Sequence, residues 1–244
     1  MSKLVLVTGG SRGIGASLVE GFVEAGYLVA FTYNHARDLA IAIQERSNGR
    51  ALAFQLDQAD PDNVISCISS IKNEFGKLPD ILINNGAIAQ EKPFLEITAD
   101  DFEMMLNTNL RGPFLLAQHC IPAMIEHGWG RVINITSIGG QWGGFNQVHY
   151  AAAKSALINL TQSIAKIYSL NGITSNAIAI GLVETEMTKR ELSSEEGKKK
   201  VAAIPCQRLG TGDDITAMAL FLASEKSSYL TGQTLNANGG MYFG

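Results

Sequence analysis

The chain has 244 residues, 46% of them hydrophobic and 17% charged, with a formal net charge of −4. That content is enough for a substantial core, and the acidic balance argues against a nucleic-acid platform. No apolar run approaches the roughly 18 residues a membrane helix needs. Cys67, Cys120 and Cys206 lie far apart without metal spacing, and His35, His119, His127 and His149 form no ligand cluster. Reduced thiols in a cytoplasmic protein with no metal site are therefore expected.

The first strand is expected at 4–8, which leaves no room for a signal peptide. It runs straight into Thr8-Gly9-Gly10-Ser11-Arg12-Gly13-Ile14-Gly15 and then into a helix over 13–25, patterned by Leu18, Val19, Phe22 and Val23. Strand, glycine turn and helix together make a nucleotide-binding loop credible. Glycines let the backbone approach a diphosphate closely, and the helix N-terminus favours its negative charge. Further strands are read at 28–33, 51–56, 80–84, 131–136, 173–179 and 234–238. Helices are read at 36–46, 61–75, 99–127 with a break near Arg111, 150–170 and 212–224. This alternation predicts an α/β chain with a parallel, doubly wound sheet of seven strands and helices on both faces. No repeat, low-complexity tract or linker divides it, so residues 1–244 form a single domain. Ligands in such sheets bind beyond the carboxyl ends of the strands. Asn84, Ser137 and Gly181 each close a strand and should converge there.

Tyr150 and Lys154 stand at i and i+4 and share one helical face. A phenol titrates near about 10, too high for efficient acid–base work at neutral pH. An ammonium at roughly 4 Å, with an effective dielectric near 20, contributes about 4 kcal/mol, or about three pKa units. The pair is therefore expected to bring the phenol toward the useful range. Ser137 sits thirteen residues before Tyr150 and adds a hydroxyl able to hold a carbonyl oxygen.

Gly9, Gly13 and Gly15 form Thr-Gly-x-x-x-Gly-x-Gly, which resembles the glycine motif of the short-chain dehydrogenase/reductase family. Asn84-Asn85-Gly86-Ala87 resembles that family's Asn-Asn-Ala-Gly element with the last two residues exchanged. Asn109-Leu110, Ser137, Tyr150 and Lys154 match its catalytic positions. The run Tyr229 to Tyr242 is similar to the C-terminal segment of β-ketoacyl-acyl-carrier-protein reductases. The resemblance implies a Rossmann-type fold, a nicotinamide cofactor and a homotetramer built on helices around 111–127 and 150–170 and on the C-terminal segment. It implies that Tyr150 donates a proton, Ser137 holds the carbonyl oxygen, and Lys154 tunes the tyrosine and contacts the nicotinamide ribose. Asn109 would position a water that relays protons to Lys154.

By the same resemblance, Gly9, Ser11, Arg12, Gly13, Ile14, Gly15, Asn84 and Gly86 surround the cofactor. Asp57 bonds the adenine, while Gly181, Val183 and Thr185 lie at the carboxamide; Ile180 replaces the family's usual proline. A plainer role for Asp57 is a turn or cap. The second strand ends in Thr32-Tyr33-Asn34-His35-Ala36-Arg37, without the acid that NAD-binding folds place there. Asn34 in that place, with Arg12 and Arg37 nearby, favours NADP(H) over NAD(H).

Substrate identity is less constrained. Carrier-protein reductases of this type present two arginines to the acyl carrier protein, at positions that are Gly128 and Asn171 here. Arg131 and Lys166 are near but not equivalent. Residues 182–206 resemble a substrate lid, whose Lys198-Lys199-Lys200 run fits either an acidic carrier or an ordinary solvated helix. Trp142 and Phe145 could line an apolar pocket or a subunit contact, and Gln147 is a candidate for touching a polar part of the substrate. Three functions remain open. The leading one is NADPH-dependent reduction of a 3-oxoacyl thioester. The others are dehydrogenation of a polar secondary alcohol such as a sugar or polyol, and a non-catalytic nucleotide sensor.

Overall fold

The protein is described by a computed structural model, which covers residues 2–184 and 194–244. The strands are β1 (Leu4–Val7), β2 (Leu28–Tyr33), β3 (Ala51–Gln55), β4 (Ile81–Asn84), β5 (Gly130–Ser137), β6 (Ile173–Ile180) and β7 (Thr234–Ala237). They form one sheet in the order β3-β2-β1-β4-β5-β6-β7, and every neighbouring pair is parallel. Strand order reverses at β1, which pairs with β2 on one side and β4 on the other. That reversal opens a crevice beyond the strand ends.

Two apolar layers follow from the period of two along each strand. Val5, Val7, Val29, Phe31, Ile81 and Ile83 face α1 (Gly13–Glu24), α2 (Arg37–Arg46) and the last helix, α9 (Gly212–Ala223), meeting Leu18, Phe22, Ile43, Ile215 and Leu222. Leu4, Leu6, Leu82 and Val132 face the other way, toward α3 (Pro61–Phe75), α5 (Gly112–His127) and α7 (Val148–Tyr168), meeting Ile68, Ile71, Leu116, Met124 and Ile164. Burial on both faces is why these strands read as continuous Val/Ile/Leu runs.

The long helix expected over 99–127 is three pieces: α4 (Ala99–Leu106), a π turn (Asn107–Arg111) and α5. Pro113 has no N–H, so it cannot serve the Asn109 carbonyl as an α-helix requires, nor the Thr108 carbonyl as a π turn requires. Gln58 supplies the missing donor to Thr108, its Nε2 lying 2.7 Å from that oxygen. A one-turn helix, α6 (Gly139–Trp142), follows Ser137 where the sequence reading had none. Two residues earlier than expected, α7 begins at Val148. Of the supposed lid, residues 185–193 lie outside the described part; α8 (Glu195–Ala202) is capped by Ser194, whose hydroxyl accepts from the Gly197 N–H at 3.0 Å.

Candidate active site

A cavity of about 500 Å³ occupies the crevice beyond β1, β2, β3 and β4. Its floor is the glycine loop. A Cβ at Gly15 would fall on the carbonyl of Gly9 and within 2.7 Å of Asn85 Nδ2, so no larger residue fits this approach. Asn85 holds the loop from the β4 side, donating from Nδ2 to the carbonyls of Thr8 at 2.9 Å and Gly9 at 3.2 Å. The Thr8 hydroxyl returns the tie by accepting from the Asn85 and Gly86 N–H groups. The first turn of α1 contains no acidic residue, which leaves its positive end open to an anion.

Ser137 closes β5 and Tyr150 sits in the first turn of α7, which packs across that strand. Their hydroxyls are neighbours, close enough for Ser137 to draw the Tyr150 phenol downward. Ser137 Oγ also accepts from the Gly139 N–H at 3.1 Å, which leaves its own proton for Tyr150 or for a ligand oxygen. Lys154 is buried one turn further along α7 and donates from Nζ to the Ile135 carbonyl at 2.8 Å. Nζ lies 5.7 Å from the centre of the Tyr150 ring.

This geometry corrects the sequence-level electrostatics. The ammonium donates into the sheet, to Ile135, because this face of α7 packs directly on β5, and Lys154 is not among the groups that lower the Tyr150 phenol. Burial raises the Tyr150 phenol, and the Ser137 hydrogen bond opposes that only in part. Burial also lowers Lys154, to about 8. Tyr150 is therefore held as a protonated acid, while Lys154 titrates close to neutral pH.

A family model described as enoyl-(acyl carrier protein) reductase matches residues 9–242. The 3-oxoacyl-acyl-carrier-protein reductase of Staphylococcus aureus is 38% identical over 245 residues, covering 99% of each chain. The Staphylococcus epidermidis protein of the same name is 37% identical, covering 99% of this chain and 100% of its own. That of Salmonella typhimurium is 38% identical over 243 residues, covering 98% and 97%. The chain belongs to the short-chain dehydrogenase/reductase family.

Within this family frame, the crevice gathers most but not all of the residues singled out above. Gly9, Ser11, Arg12, Gly13, Ile14, Gly15, Asn34, Asp57 and Gly86 line the cavity. Asp57 also takes the plainer role, its Oδ1 accepting from the Ala59 N–H at 3.0 Å in a turn before α3. Arg37 stands exposed at the start of α2 and is not part of the lining. Asn84 is not part of it either. Its Nδ2 donates to Asn134 Oδ1 at 2.8 Å, and Asn134 in turn donates to Thr161 on α7, so Asn84 ties β4 to β5 and α7. Neighbouring Asn85 takes the cavity position, and adjacent asparagines at a strand end carry no sequence signal to tell them apart.

Gly181 and Val183 follow β6. Gly181 packs so closely on Asn238 that a Cβ would come within 2.9 Å of its Cα, and Val183 bridges to Gly210. Thr185 lies outside the described residues. Ile180, where the family usually has proline, accepts from the Ile138 N–H at 3.0 Å and so ties β6 to the turn after Ser137.

The Asn109 side chain is fully engaged. Oδ1 accepts from the Ile88 N–H at 2.9 Å and Nδ2 donates to the Ile88 carbonyl at 2.8 Å. Gln147 donates to Glu91 at 3.4 Å, and Trp142 packs edge-on against Tyr242 with ring centres 5.8 Å apart. Phe145 is 93% exposed.

Of the two positions compared above with carrier-contacting arginines, Gly128 has a physical explanation. Gly128 ends α5 in the left-handed conformation, φ 63°, which favours glycine over arginine. Gly128 and Asn171 precede β5 and β6, at the end of the sheet opposite the cavity. Arg131 is 2% exposed, packed 4.3 Å over the Trp129 ring and near Glu225, so it is a core residue. Among the described residues no helix is long and apolar enough to cross a membrane, and no His/Cys/Asp/Glu group could hold a metal. The cysteines are free, Cys67 and Cys120 buried and Cys206 exposed.

Proposed function

We propose that the chain is an NADPH-dependent ketoreductase that converts 3-oxoacyl thioesters, carried on a protein or on coenzyme A, to 3-hydroxyacyl thioesters. The observation that carries this reading is the Ser137–Tyr150 hydroxyl pair at the end of β5, backed by buried Lys154. The substrate class follows from the relatives, which are 3-oxoacyl-acyl-carrier-protein reductases.

A reduced nicotinamide held in the crevice would supply the hydride for the ketone carbon. Gly9, Gly13 and Gly15 form the cradle for its diphosphate, and Asn34, without a carboxylate, accommodates a 2′-phosphate beside Arg12. Ser137 donates its free proton to the ketone oxygen, having been oriented by Gly139. Tyr150 transfers its phenolic proton to the same oxygen as the C–O π electrons become an alkoxide, giving the alcohol and a tyrosinate. Lys154, titrating at about 8, supplies the proton that a bridging hydroxyl or water passes on to the tyrosinate, since Nζ itself donates to Ile135. With the Asn109 amide held by Ile88, a relay water would sit at its backbone carbonyl, which Pro113 cannot serve in the α-helical way.

A phenol whose burial favours the protonated form suits reduction better than oxidation, which needs the tyrosinate from the outset. The homotetramer belongs to the same reading, supported by exposed Phe114 and Ile125 on α5, Ile167 on α7, and Leu170, Tyr229 and Phe243. The absence of arginine at Gly128 and Asn171 favours a second reading, oxidation of a polar secondary alcohol. Turnover of a short 3-oxoacyl-coenzyme A with NADPH, run beside NADH and a panel of polar ketones, separates the two. Rapid thioester reduction with NADPH supports the ketoreductase. Turnover of polar ketones alone moves the chain to the alcohol dehydrogenases.

A further inference from the structure

The loop after β4 is laced to the residues just before Tyr150. The Lys92 N–H donates to the Asn146 carbonyl at 2.7 Å, and His149 Nε2 lies 2.9 Å from Gln90 Oε1. On its other side Gln90 donates from Nε2 to Asp101 Oδ1 at 3.0 Å, at the start of α4. Asp101 Oδ2 meanwhile holds Lys92 Nζ at 2.5 Å and the Thr98 hydroxyl at 2.7 Å. Lys92, then Thr98, keep the Asp101 carboxyl well below the usual carboxylate range, so it is an acceptor only. The Gln90 amide nitrogen must therefore face Asp101 and its oxygen must face His149, which fixes the histidine proton on Nε2.

His149 is fully buried, and its other nitrogen, Nδ1, has no partner. A buried acceptor left unmade costs free energy that an apolar residue would not incur. It is found one residue before Tyr150, on a helix whose N-cap, Gln147, gives no side-chain cap. An uncapped first turn frays unless something outside the helix holds it. We infer that Asp101, Gln90 and His149 form a positioning chain that takes the place of the missing cap. It holds the first turn of α7, and with it the Tyr150 hydroxyl, in register with the loop after β4, whose Gly86 to Ile88 stretch lines the cavity. These are positioning residues, acting through Tyr150. The proposal rests on the ketoreductase reading for its kinetic test but not for its spectroscopic one.

Two variants of the full chain test it. Gln90→Leu removes both bonds with little change of volume and should lower kcat at least about tenfold, with NADPH affinity within about twofold of wild type, since the glycine loop is untouched. Gln90→Glu separates positioning from packing. While protonated, the new carboxyl donates to Asp101 and accepts from His149, which restores the chain. Once ionised it faces Asp101 across the same gap, and Lys92 and Glu91 are the other charged groups of that loop. Its kcat should approach wild type at the acid end and fall to the Gln90→Leu level as pH rises. A Gln90→Leu chain with kcat within twofold of wild type, or a Gln90→Glu profile parallel to wild type, overturns the proposal. Should wild type reduce no thioester, the substrate reading fails while the chain remains testable by the ultraviolet titration of Tyr150, taken as the difference from a Tyr150→Phe background. The Tyr150 titration should move in Gln90→Leu; an unmoved one overturns the inference.

Discussion

Replacing Lys154 by methionine should remove activity and yet stabilise the fold at neutral pH. Lys154 is 3% exposed, and burial lowers its titration from 10.5 to about 8. At about 1.4 kcal/mol per unit, the charged form at pH 7 destabilises the native state by about 3 kcal/mol. The bond from Nζ to the Ile135 carbonyl, worth about 1 kcal/mol, offsets part of this and is lost in the variant. The net expectation is a Lys154→Met chain more stable by about 2 kcal/mol at pH 7. The pH dependence has a definite sign. Between about 8 and 10.5 the unfolded chain binds the Lys154 proton and the folded chain does not, so wild-type stability rises with pH across that window. Cys67 and Cys120, each raised to about 12 by burial, act in the opposite sense above pH 9, but equally in both chains. The assay is denaturant unfolding of wild type and Lys154→Met from neutral to alkaline pH. The variant's advantage should be present at pH 7 and shrink toward the alkaline end. A variant less stable than wild type at pH 7, or a difference independent of pH, would refute the burial argument.

Gly15→Ala should abolish NADPH binding and cost about 1–3 kcal/mol, because the added methyl falls on the Gly9 carbonyl; cofactor titration and thermal unfolding check both. Asn34→Asp should lower kcat/KM for NADPH at least about tenfold relative to NADH, since its carboxylate would face the 2′-phosphate across the cavity wall. An unchanged cofactor ratio would place the phosphate elsewhere. Phe114→Glu, at an exposed apolar position on α5, should break the proposed tetramer into smaller species, measured by light scattering against wild type.

Much of the fold could be read directly because the physics was local. Every strand was read to within a residue at each end, and a break in the long helix was expected near Arg111, where the π turn ends. The turn of helix at Gly139–Trp142 was not legible, because two glycines open it and its packing on α7 and the Ser137 hydroxyl at its start hold it. At the site, the glycine loop, Ser137, Tyr150 and Lys154 were named from spacing together with the family resemblance, and the fold brings the last three to the carboxyl end of β5. What spacing could not give was direction. Lys154 shares a face with Tyr150, but the helix aims its ammonium at Ile135. The choice of Asn85 over Asn84, and the parts played by Gln58, Gln90 and His149, depend on contacts between residues far apart in the chain.

The most direct test of the account is the rate of reduction of a short 3-oxoacyl thioester by NADPH in wild type and in Tyr150→Phe, measured together with NADPH affinity. The account predicts turnover in wild type, a loss of about a hundredfold or more in the variant, and matched affinities. A variant that keeps most of the rate while binding NADPH normally would contradict Tyr150 as the proton donor.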